Sequence, residues 1–187
     1  MAKRPRIEGY AIVSREGMIA NSDGSFPDAL RIPADQAFYQ AALARAAVVA
    51  NGRHSSEGGP NEKAHKRILV TRRVERIVPD PGNPNAVLWN PATAPFDEAW
   101  QKLKADHGTL AVVGGTDVFA LFLSIGYDAF FLSRVPVSVP RGRPVFPGVG
   151  PGRPPEEALK RHGLVLKSSR LLDPASGTVL EEWGPKT

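Results

Sequence analysis

Cysteine is absent from the 187-residue sequence. Its absence excludes disulfide bonds, thiolate catalysis and cysteine-ligated zinc or iron–sulfur clusters. The four histidines show neither the HxxH nor the HExxH spacing that holds a metal ion, so we expect no metal site. The glycine-rich P-loop ending in Lys-Ser or Lys-Thr and the GxSxG nucleophile elbow are missing as well. These absences count against P-loop enzymes and α/β-hydrolases.

Long hydrophobic runs are also missing. No stretch of eighteen apolar residues occurs, and no transmembrane helix is expected. The basic residues 1–6 are not followed by the apolar core of a signal peptide, so a cytoplasmic protein is predicted. Aromatic residues make up only 7% of the chain, so aliphatic side chains have to fill most of the interior. A chain of this length is predicted to form one domain, 1–187, around a single core.

The chain is basic, with 24 lysines and arginines against 19 acidic residues and a formal net charge of +5. Such a balance suits either nucleic acid or a pocket for a phosphorylated ligand. The cationic residues are scattered along the sequence, and no zinc-finger spacing or RNA-stacking motif accompanies them. Nucleic-acid binding is therefore kept as an alternative to a small phosphorylated ligand.

Short apolar runs alternate with helical patterns along the chain. This alternation favours an α/β fold in three layers, with a mostly parallel central sheet between helices and an antiparallel pair of strands at the C-terminal end. Residues 136–155, rich in proline and glycine, are predicted to be a surface loop. We predict strands at 7–14, 46–50, 68–71, 86–89, 110–113, 129–135, 164–172 and 179–183, and helices at 34–46, 96–106 and 117–125.

The first helix is predicted from apolar residues near the 3.6-residue period, namely Ala37, Phe38, Ala41, Leu43 and Ala44. Asp35 then falls in its first turn. One interpretation is that Asp35 stabilises the helix N-terminus through the helix dipole. The other is a buried carboxylate that holds or protonates a heterocycle ring nitrogen. Ser133, on a later strand, is placed to hydrogen-bond such a carboxylate or the ligand itself.

Ligands of open α/β sheets bind at the carboxyl ends of the strands. Gly114, Gly115 and Thr116 follow a predicted strand and begin a helix. Glycine lets the backbone approach a ligand, and a helix N-terminus favours a phosphate. A tight strand-to-helix turn is the alternative interpretation.

Two more polar segments follow predicted strands. Residues 51–56 place an arginine, an imidazole and two hydroxyls around Gly52, and these groups suit a dinucleotide phosphate. Thr71 and Arg72, with Arg73, end the next strand. Cationic side chains often lie near the 2′-phosphate in dinucleotide enzymes that prefer the phosphorylated cofactor. Solvated polar loops and charged strand ends of this composition are also common.

The order of these segments, over roughly residues 7–148, resembles the dihydrofolate reductase superfamily. A strand, an active-site loop and a helix opening with Pro-Ala-Asp come first. A strand ending in Gly-Arg-His-Ser, a strand ending in a hydroxyl, and Val-Gly-Gly-Thr with its helix follow. The resemblance implies a dihydrofolate reductase-like fold, NADPH as cofactor, and hydride transfer to a pyrimidine- or pteridine-like heterocycle.

One part of the resemblance is to dihydrofolate reductase itself, through residues 32–39 and 52–55. It implies that Asp35 binds the pterin, that Ser133 supports Asp35, and that the substrate packs on Tyr39, with Phe38 and Ile12 in the same site. The sequence departs from that family at two places. Pro27-Asp28-Ala29 stands where the family has a tryptophan, and His65 stands where it has the arginine that grips the folate glutamate tail.

Another part of the resemblance is to the pyrimidine reductases of riboflavin biosynthesis. Residues 16–20 followed by Ser-Asp-Gly at 22–24 are similar to their Asp-Gly-Lys-Ile-Ala…Asp-Gly stretch. Residues 142–148, Gly-Arg-Pro-Val-Phe-Pro-Gly, resemble a segment common in single-domain members of that branch. Relatives in this branch are often homodimers, whereas dihydrofolate reductases are often monomers.

The resemblance thus leads to a main hypothesis and two alternatives. The main one is an NADPH-dependent reductase of the riboflavin type, acting on 5-amino-6-ribosylaminouracil or a similar small heterocycle. The alternatives are a dihydrofolate reductase and a non-catalytic relative that binds nucleotide or nucleic acid. Cofactor binding is assigned to residues at the strand ends and at the start of the third helix, namely Ala20, Gly52, Arg53, His54, Ser55, Thr71, Arg72, Gly114, Gly115, Thr116, Asp117 and Val118.

Overall fold

The computed structural model describes residues 4–55, 63–105 and 107–186. Strands and helices alternate along these residues, with a short 3-10 turn at Asp28–Leu30. The strands are β1 (Arg6–Val13), β2 (Met18–Ala20), β3 (Val48–Gly52), β4 (Lys66–Val70), β5 (Ile77–Asp80), β6 (Asn83–Trp89), β7 (Thr109–Val112), β8 (Ala129–Arg134), β9 (Arg143–Pro144), β10 (Leu164–Asp173) and β11 (Thr178–Pro185). The helices are α1 (Pro33–Arg45), α2 (Phe96–Lys102), α3 (Thr116–Ile125) and α4 (Pro155–Arg161).

Nine of the strands form one sheet in the order β10-β11-β8-β1-β7-β3-β4-β6-β5. The central pairs, β8 with β1, β1 with β7, β7 with β3, β3 with β4 and β4 with β6, are parallel. Strands β10 and β11 are antiparallel to each other, and β11 is antiparallel to β8. The predicted α/β fold, with a mostly parallel sheet and an antiparallel C-terminal pair, is confirmed.

The sheet separates two apolar layers. Along β3, Val49 belongs to the cluster under α1, whereas Val48 and Ala50 belong to the larger cluster under α2 and α3. This division follows from the alternation of side chains across a strand. The few aromatic residues are concentrated in the larger cluster, where the ring of Phe122 lies 5.5 Å from that of Phe96. Complete burial of one such ring contributes about 1.5–3 kcal/mol.

Helix α1 matches its predicted bounds within a residue, but its buried face is only partly the predicted one: Leu43 is buried and Phe38 packs against the smaller cluster, as predicted. Ala37, Ala41 and Ala44 are exposed, and the fully buried residues are Ala42 and Leu43. Alanine has a small side chain that gains little from burial, so its spacing identifies a helix face poorly. Outward alanines instead support the helix through their high intrinsic propensity.

The end of helix α2 and several short elements differ from the prediction. Helix α2 ends at Lys102, and Lys104, with a φ of 50°, has left the helical conformation. Asp106, the predicted end of this helix, and Ser56, the last residue of the predicted polar segment 51–56, lie outside the described residues. Strands β2, β5 and β9 and helix α4 were not predicted. They are only two to seven residues long, too short for a hydrophobic period to show.

The segment 136–155, predicted to be a surface loop, is only partly one, because some of its residues pair with a strand or pack in the core. Within it, β9 pairs with β2, and Val145 and Phe146 are buried. Its exposed residues keep the expected loop character, while these two apolar side chains belong to the core. Among the residues that the structure describes, no helix is long and apolar enough to cross a membrane.

Candidate active site

A cavity of about 500 Å³ lies beside α1, at the end of the sheet where β1, β7 and β8 finish. This is the edge at which parallel strands present ligand sites. The lining comes from β1, the β2 region, the 3-10 turn, α1, the end of β3, the start of α3 and β8. The lining residues are Tyr10, Ala11, Ile12, Ile19, Ala20, Gly24, Phe26, Leu30, Arg31, Ile32, Asp35, Gln36, Phe38, Tyr39, Gln40, His54, Ser55, Val113, Gly114, Gly115, Phe119, Phe131 and Ser133.

Asp35 and Ser133 meet at this cavity. Asp35 lies half-buried in the first turn of α1, and Ser133 is buried on β8. Burial raises the pKa of the Asp35 carboxyl, and a hydrogen bond with Ser133 opposes part of that rise. The balance favours a carboxyl that retains its proton to higher pH than an exposed aspartate. Such a group can hand a proton to a ligand in the cavity.

Aromatic rings form one wall. Tyr10 and Phe131, from the adjacent strands β1 and β8, stack with their centroids 5.1 Å apart and their planes at 13°. Phe38 of α1 meets the Phe131 ring edge-on at 5.6 Å. The Tyr10 hydroxyl donates a 2.5 Å hydrogen bond to Glu8. Burial raises the pKa of Tyr39 to about 12, so its hydroxyl stays protonated at neutral pH. A flat heterocycle is the ligand that such a wall favours.

Glycines form a second wall, where β3 and β7 end side by side. The Gly52 amide donates to the Gly114 carbonyl at 2.9 Å, and the Gly114–Gly115 peptide bond is cis. A Cβ atom on Gly115 would lie 3.2 Å from Ser55 Oγ, and Gly114 has a φ of +117°. Residues with side chains therefore fit poorly here, and the backbone stays open to the cavity.

The same wall ends at the N-terminus of α3. Gly115 is its N-cap and provides no side-chain capping hydrogen bond, so the first-turn amides are not taken up by a cap. Unsatisfied amides at a helix N-terminus, together with the helix dipole, attract a phosphate. His54 and Ser55 line the cavity next to this helix end. These residues fit the pyrophosphate of a dinucleotide such as NADPH.

Ten of the predicted site residues line the cavity. They are Ile12, Ala20, Asp35, Phe38, Tyr39, His54, Ser55, Gly114, Gly115 and Ser133.

The other predicted residues lie around the cavity without lining it. Arg53 and Arg72 are exposed. The Thr71 hydroxyl accepts a 3.2 Å hydrogen bond from the amide of Arg73, within its own turn. Of the remaining four, Gly52 donates its amide hydrogen to the carbonyl oxygen of Gly114 in the second wall, and Thr116, Asp117 and Val118 form the first turn of α3.

A buried arginine is hydrogen-bonded to the end of β3. Arg67 of β4 is only 2% exposed and donates to Asn51 Oδ1 at 3.2 Å. The Asn51 side-chain amide in turn donates to the carbonyl oxygens of Gly52 and Ser55 at 3.0 and 2.7 Å. Burial lowers the pKa of Arg67. This chain of hydrogen bonds fixes the loop from which Ser55 enters the cavity wall.

Several lining residues were missed by the sequence interpretation. Tyr10 and Phe131 lie two positions before Ile12 and Ser133 on the same strands, so the period of two could have identified them. Arg31 and Phe26 have no such signal. They form the cavity rim, where the Arg31 guanidinium lies 5.3 Å from the centre of the Phe26 ring. Leu30, buried in the wall, follows directly after the Pro-Asp-Ala segment that replaces the family's tryptophan.

Comparison with solved structures shows the fold. A protein from Shewanella sp. PV-4 assigned to riboflavin biosynthesis superposes with a TM-score of 0.67 at 14% identity, over 97% of this chain and 99% of that one. Dihydrofolate reductase from Enterococcus faecalis, in complex with NADP(H) and RAB-propyl, gives a TM-score of 0.65 at 15% identity, over 97% and 96%.

A third structure is larger. The diaminohydroxyphosphoribosylaminopyrimidine deaminase/5-amino-6-(5-phosphoribosylamino)uracil reductase of Thermotoga maritima gives a TM-score of 0.59 at 19% identity, over 98% of this chain but 57% of that one. No family model and no curated protein sequence matches the chain. The chain therefore has the dihydrofolate reductase-like fold, as the sequence resemblance implied.

Proposed function

We propose that the protein is an NADPH-dependent reductase that transfers hydride to a pyrimidine-like heterocycle, as riboflavin-type 5-amino-6-ribosylaminouracil reductases do. The observation that carries the proposal is the position of Asp35. Its carboxyl, with a raised pKa, faces the same cavity as the open Gly114–Gly115 backbone. A proton donor and a phosphate cradle on one cavity are what a dinucleotide-dependent reduction of a C=N or comparable bond requires.

The cofactor end of the site is formed by the glycine wall. The first-turn amides of α3 and the backbone at Gly114 and Gly115 would hold the pyrophosphate, with Ser55 and His54 beside it. Arg53 and Arg72, both exposed, would reach the 2′-phosphate that distinguishes NADPH from NADH. When bound, NADPH supplies the hydride.

The substrate end of the site is formed by α1 and the aromatic wall. The heterocycle would lie between Phe131 and Tyr39, with Ile19 and Ala20 excluding water from the side. Asp35 would orient the heterocycle and give a proton to the nitrogen of the C=N bond that is reduced, while the hydride is added to the carbon of that bond, which in a ribosylaminouracil belongs to the ribose. Ser133 would hold the Asp35 carboxyl in place. The protein thus contributes orientation and one proton, whereas the redox chemistry belongs to the cofactor.

Dihydrofolate reductase is the second candidate function. The location of Asp35 on α1, in the same cavity as Ser133, favours it, as does the similarity of residues 32–39 to that family. His65 in place of the tail-binding arginine, and the participation of residues 142–148 in the structure beside β2, favour the riboflavin type. Under that type the protein is expected to be a homodimer with a small-molecule substrate.

Isothermal calorimetry with NADPH and NADH tests the cofactor first. Calorimetry is preferable to protein fluorescence because Trp89, Trp100 and Trp183 are buried and none of them lines the cavity. We expect NADPH to bind at least tenfold more tightly than NADH. Failure of both to bind would contradict the proposal, and salt-dependent binding of DNA or RNA would then support the third alternative.

Rates of turnover with different acceptors distinguish the two candidate functions. Oxidation of NADPH is followed with ribosylaminouracil, its 5′-phosphate and dihydrofolate as acceptors. Faster turnover of the pyrimidines supports the riboflavin type. Faster turnover of dihydrofolate, with inhibition by methotrexate, would replace it by the second candidate.

A further inference from the structure

Residues 136–149, here called the strap, contact the loop that carries part of the cavity wall. The Val145 amide donates to the carbonyl oxygen of Gly17 at 2.9 Å. Strand β9 within the strap pairs with β2, so that Met18 lies opposite Pro144. The two residues that follow Met18, Ile19 and Ala20, line the cavity. The position of this wall therefore depends on the strap.

The beginning of the strap is pinned to the same loop by Glu16. Its carboxylate accepts hydrogen bonds from the hydroxyls of Ser14 at 2.7 Å and Ser138 at 2.5 Å. It also accepts one from the amide of Val139 at 3.1 Å. These donors lower the pKa of Glu16 to about 2, so the Glu16 carboxylate stays ionised at every pH at which the protein is expected to work.

The other end of the strap is bound to α3, the helix whose N-terminus completes the glycine wall. The Thr116 hydroxyl donates to the Pro144 carbonyl oxygen at 2.5 Å. Proline has no amide hydrogen, so its carbonyl is its only backbone hydrogen-bonding group. Pro144 thus pairs with the wall strand β2 on one side and accepts a hydrogen bond from the first residue of α3 on the other.

Packing reinforces this connection. Phe146, 1% exposed, lies with its ring centre 6.3 Å from that of Phe119 and 5.3 Å from that of Phe130. Phe119 follows Thr116 on α3 and lines the cavity. The strap therefore contacts α3 in two ways, through the Thr116 hydrogen bond and through the aromatic cluster of Phe119, Phe130 and Phe146.

We propose that Thr116 is a positioning residue: through Pro144 it couples occupancy of the Gly114–Gly115 cradle to the position of the cavity wall at Ile19 and Ala20. A phosphate held by the first-turn amides of α3 fixes Thr116. The strap is then held more firmly, and the wall is ordered before the second ligand arrives. Two ligands that order the same element bind cooperatively. The identity of the first ligand as NADPH rests on the proposed function, whereas the hydrogen-bonded connection does not.

Amide hydrogen exchange of the ligand-free protein tests the connection. Thr116→Val removes the hydroxyl at nearly constant shape, and Thr116→Ser keeps it. We expect the Val145 amide to exchange about three- to tenfold faster in the valine variant, which is the effect of one lost hydrogen bond, and to recover in the serine variant. Thr93→Val is the matched control, because the Thr93 hydroxyl also donates to a backbone carbonyl, that of Glu75, away from the strap.

Unchanged exchange at Val145 in Thr116→Val would overturn the connection. So would an equal acceleration in Thr93→Val, because the effect would then be general destabilisation.

NADPH tests the coupling. In the wild-type protein, saturating NADPH should slow exchange at the Val145 and Met18 amides several-fold, and in Thr116→Val this protection should be largely lost. If NADPH binds the wild-type protein by calorimetry without changing exchange at these amides, the coupling is overturned while the proposed function stands. If NADPH does not bind, both the cofactor assignment and the coupling are overturned. The hydrogen-exchange comparison of the ligand-free Thr116 variants then still decides whether Thr116 holds the strap.

Discussion

Ser133, buried on β8, and Asp35, in the first turn of α1, line the same cavity, where hydrogen bonding by the Ser133 hydroxyl lowers the pKa of the Asp35 carboxyl. The two residues are almost a hundred positions apart in the sequence, yet both line one cavity, together with the aromatic residues Phe38 and Phe131. Burial and this hydrogen bond act on the pKa of Asp35 in opposite directions, with burial the larger effect. The pKa of the Asp35 carboxyl is therefore set by its burial and by the hydroxyl of Ser133.

Replacement of Asp35 by asparagine should abolish most of the turnover without unfolding the protein. Positioned proton donors contribute about 10²- to 10⁴-fold in rate, so kcat should fall by that order. The raised pKa means that the folded state binds the proton more tightly than the unfolded state, and stability is lost as the pH rises through the folded pKa. A neutral amide avoids this loss, so the melting temperature at pH 7 should be unchanged or higher.

Asp97→Asn is the matched control for that experiment. Asp97 lies in the first turn of α2, away from the cavity, and its replacement should leave turnover intact. Full turnover in Asp35→Asn would remove Asp35 from the proposed mechanism.

Ser133→Ala should move the pH profile of kcat to higher pH. The Ser133 hydrogen bond lowers the pKa of Asp35, so its removal lets burial raise that pKa further. Turnover requires the protonated carboxyl, and the limb on which the rate falls with rising pH should shift upward. Steady-state kinetics across pH measures the shift, with the exposed Ser169→Ala as control. A downward shift would mean that Ser133 does not act on the ionised carboxyl.

Gly115→Ala should weaken NADPH binding by at least about tenfold. The added methyl group meets Ser55 Oγ at 3.2 Å and covers backbone that the pyrophosphate is proposed to contact. Gly150→Ala is the control, because a Cβ atom there meets nothing within 4 Å. Calorimetry of both variants decides the matter: equal affinities for NADPH would show that the pyrophosphate does not lie against Gly115.

Glu16→Gln should reduce thermal stability at neutral pH and lose that effect in acid. The pKa of Glu16 is lowered from 4.5 to about 2 by its hydroxyl and amide donors. Its contribution to stability is therefore present above pH 4.5 and is lost as the pH falls toward 2. Because Glu16 is largely solvated, the difference in melting temperature should be small.

Melting curves of the wild-type and Glu16→Gln proteins between pH 7 and acid measure this effect. The two melting temperatures should converge at low pH. A difference that grows in acid would contradict the assigned hydrogen bonds.

Much of the fold could be predicted from the sequence. Alternating apolar runs and helical patterns gave the strands of the parallel sheet and α1 and α3 within a few residues, because these elements are long enough to show their period. The prediction for the buried face of α1 was right for Phe38 and Leu43 and wrong for the alanines. Its apolar residues are mainly alanines, and Ala37 and Ala41 are compatible with either face of a helix that Leu43 anchors.

Part of the candidate site was also predictable. Pro-Ala-Asp at the start of α1 and Gly114-Gly115 at the end of β7 carry local constraints, on helix initiation and on backbone approach, that a sequence displays directly. The structure brings both segments to one cavity. The roles of Asp35 and of the cofactor residues remain predictions for the experiments above.

The sequence by itself determined which of the longer segments become strands and helices and which residue types stand at their ends, because these depend on neighbours a few positions away. Only the tertiary structure decided which ends face one another. The stacking of Tyr10 on Phe131 and the pin between Glu16 and Ser138 join residues more than a hundred positions apart. Such contacts depend on strand order and on packing across the sheet, and no local pattern encodes them.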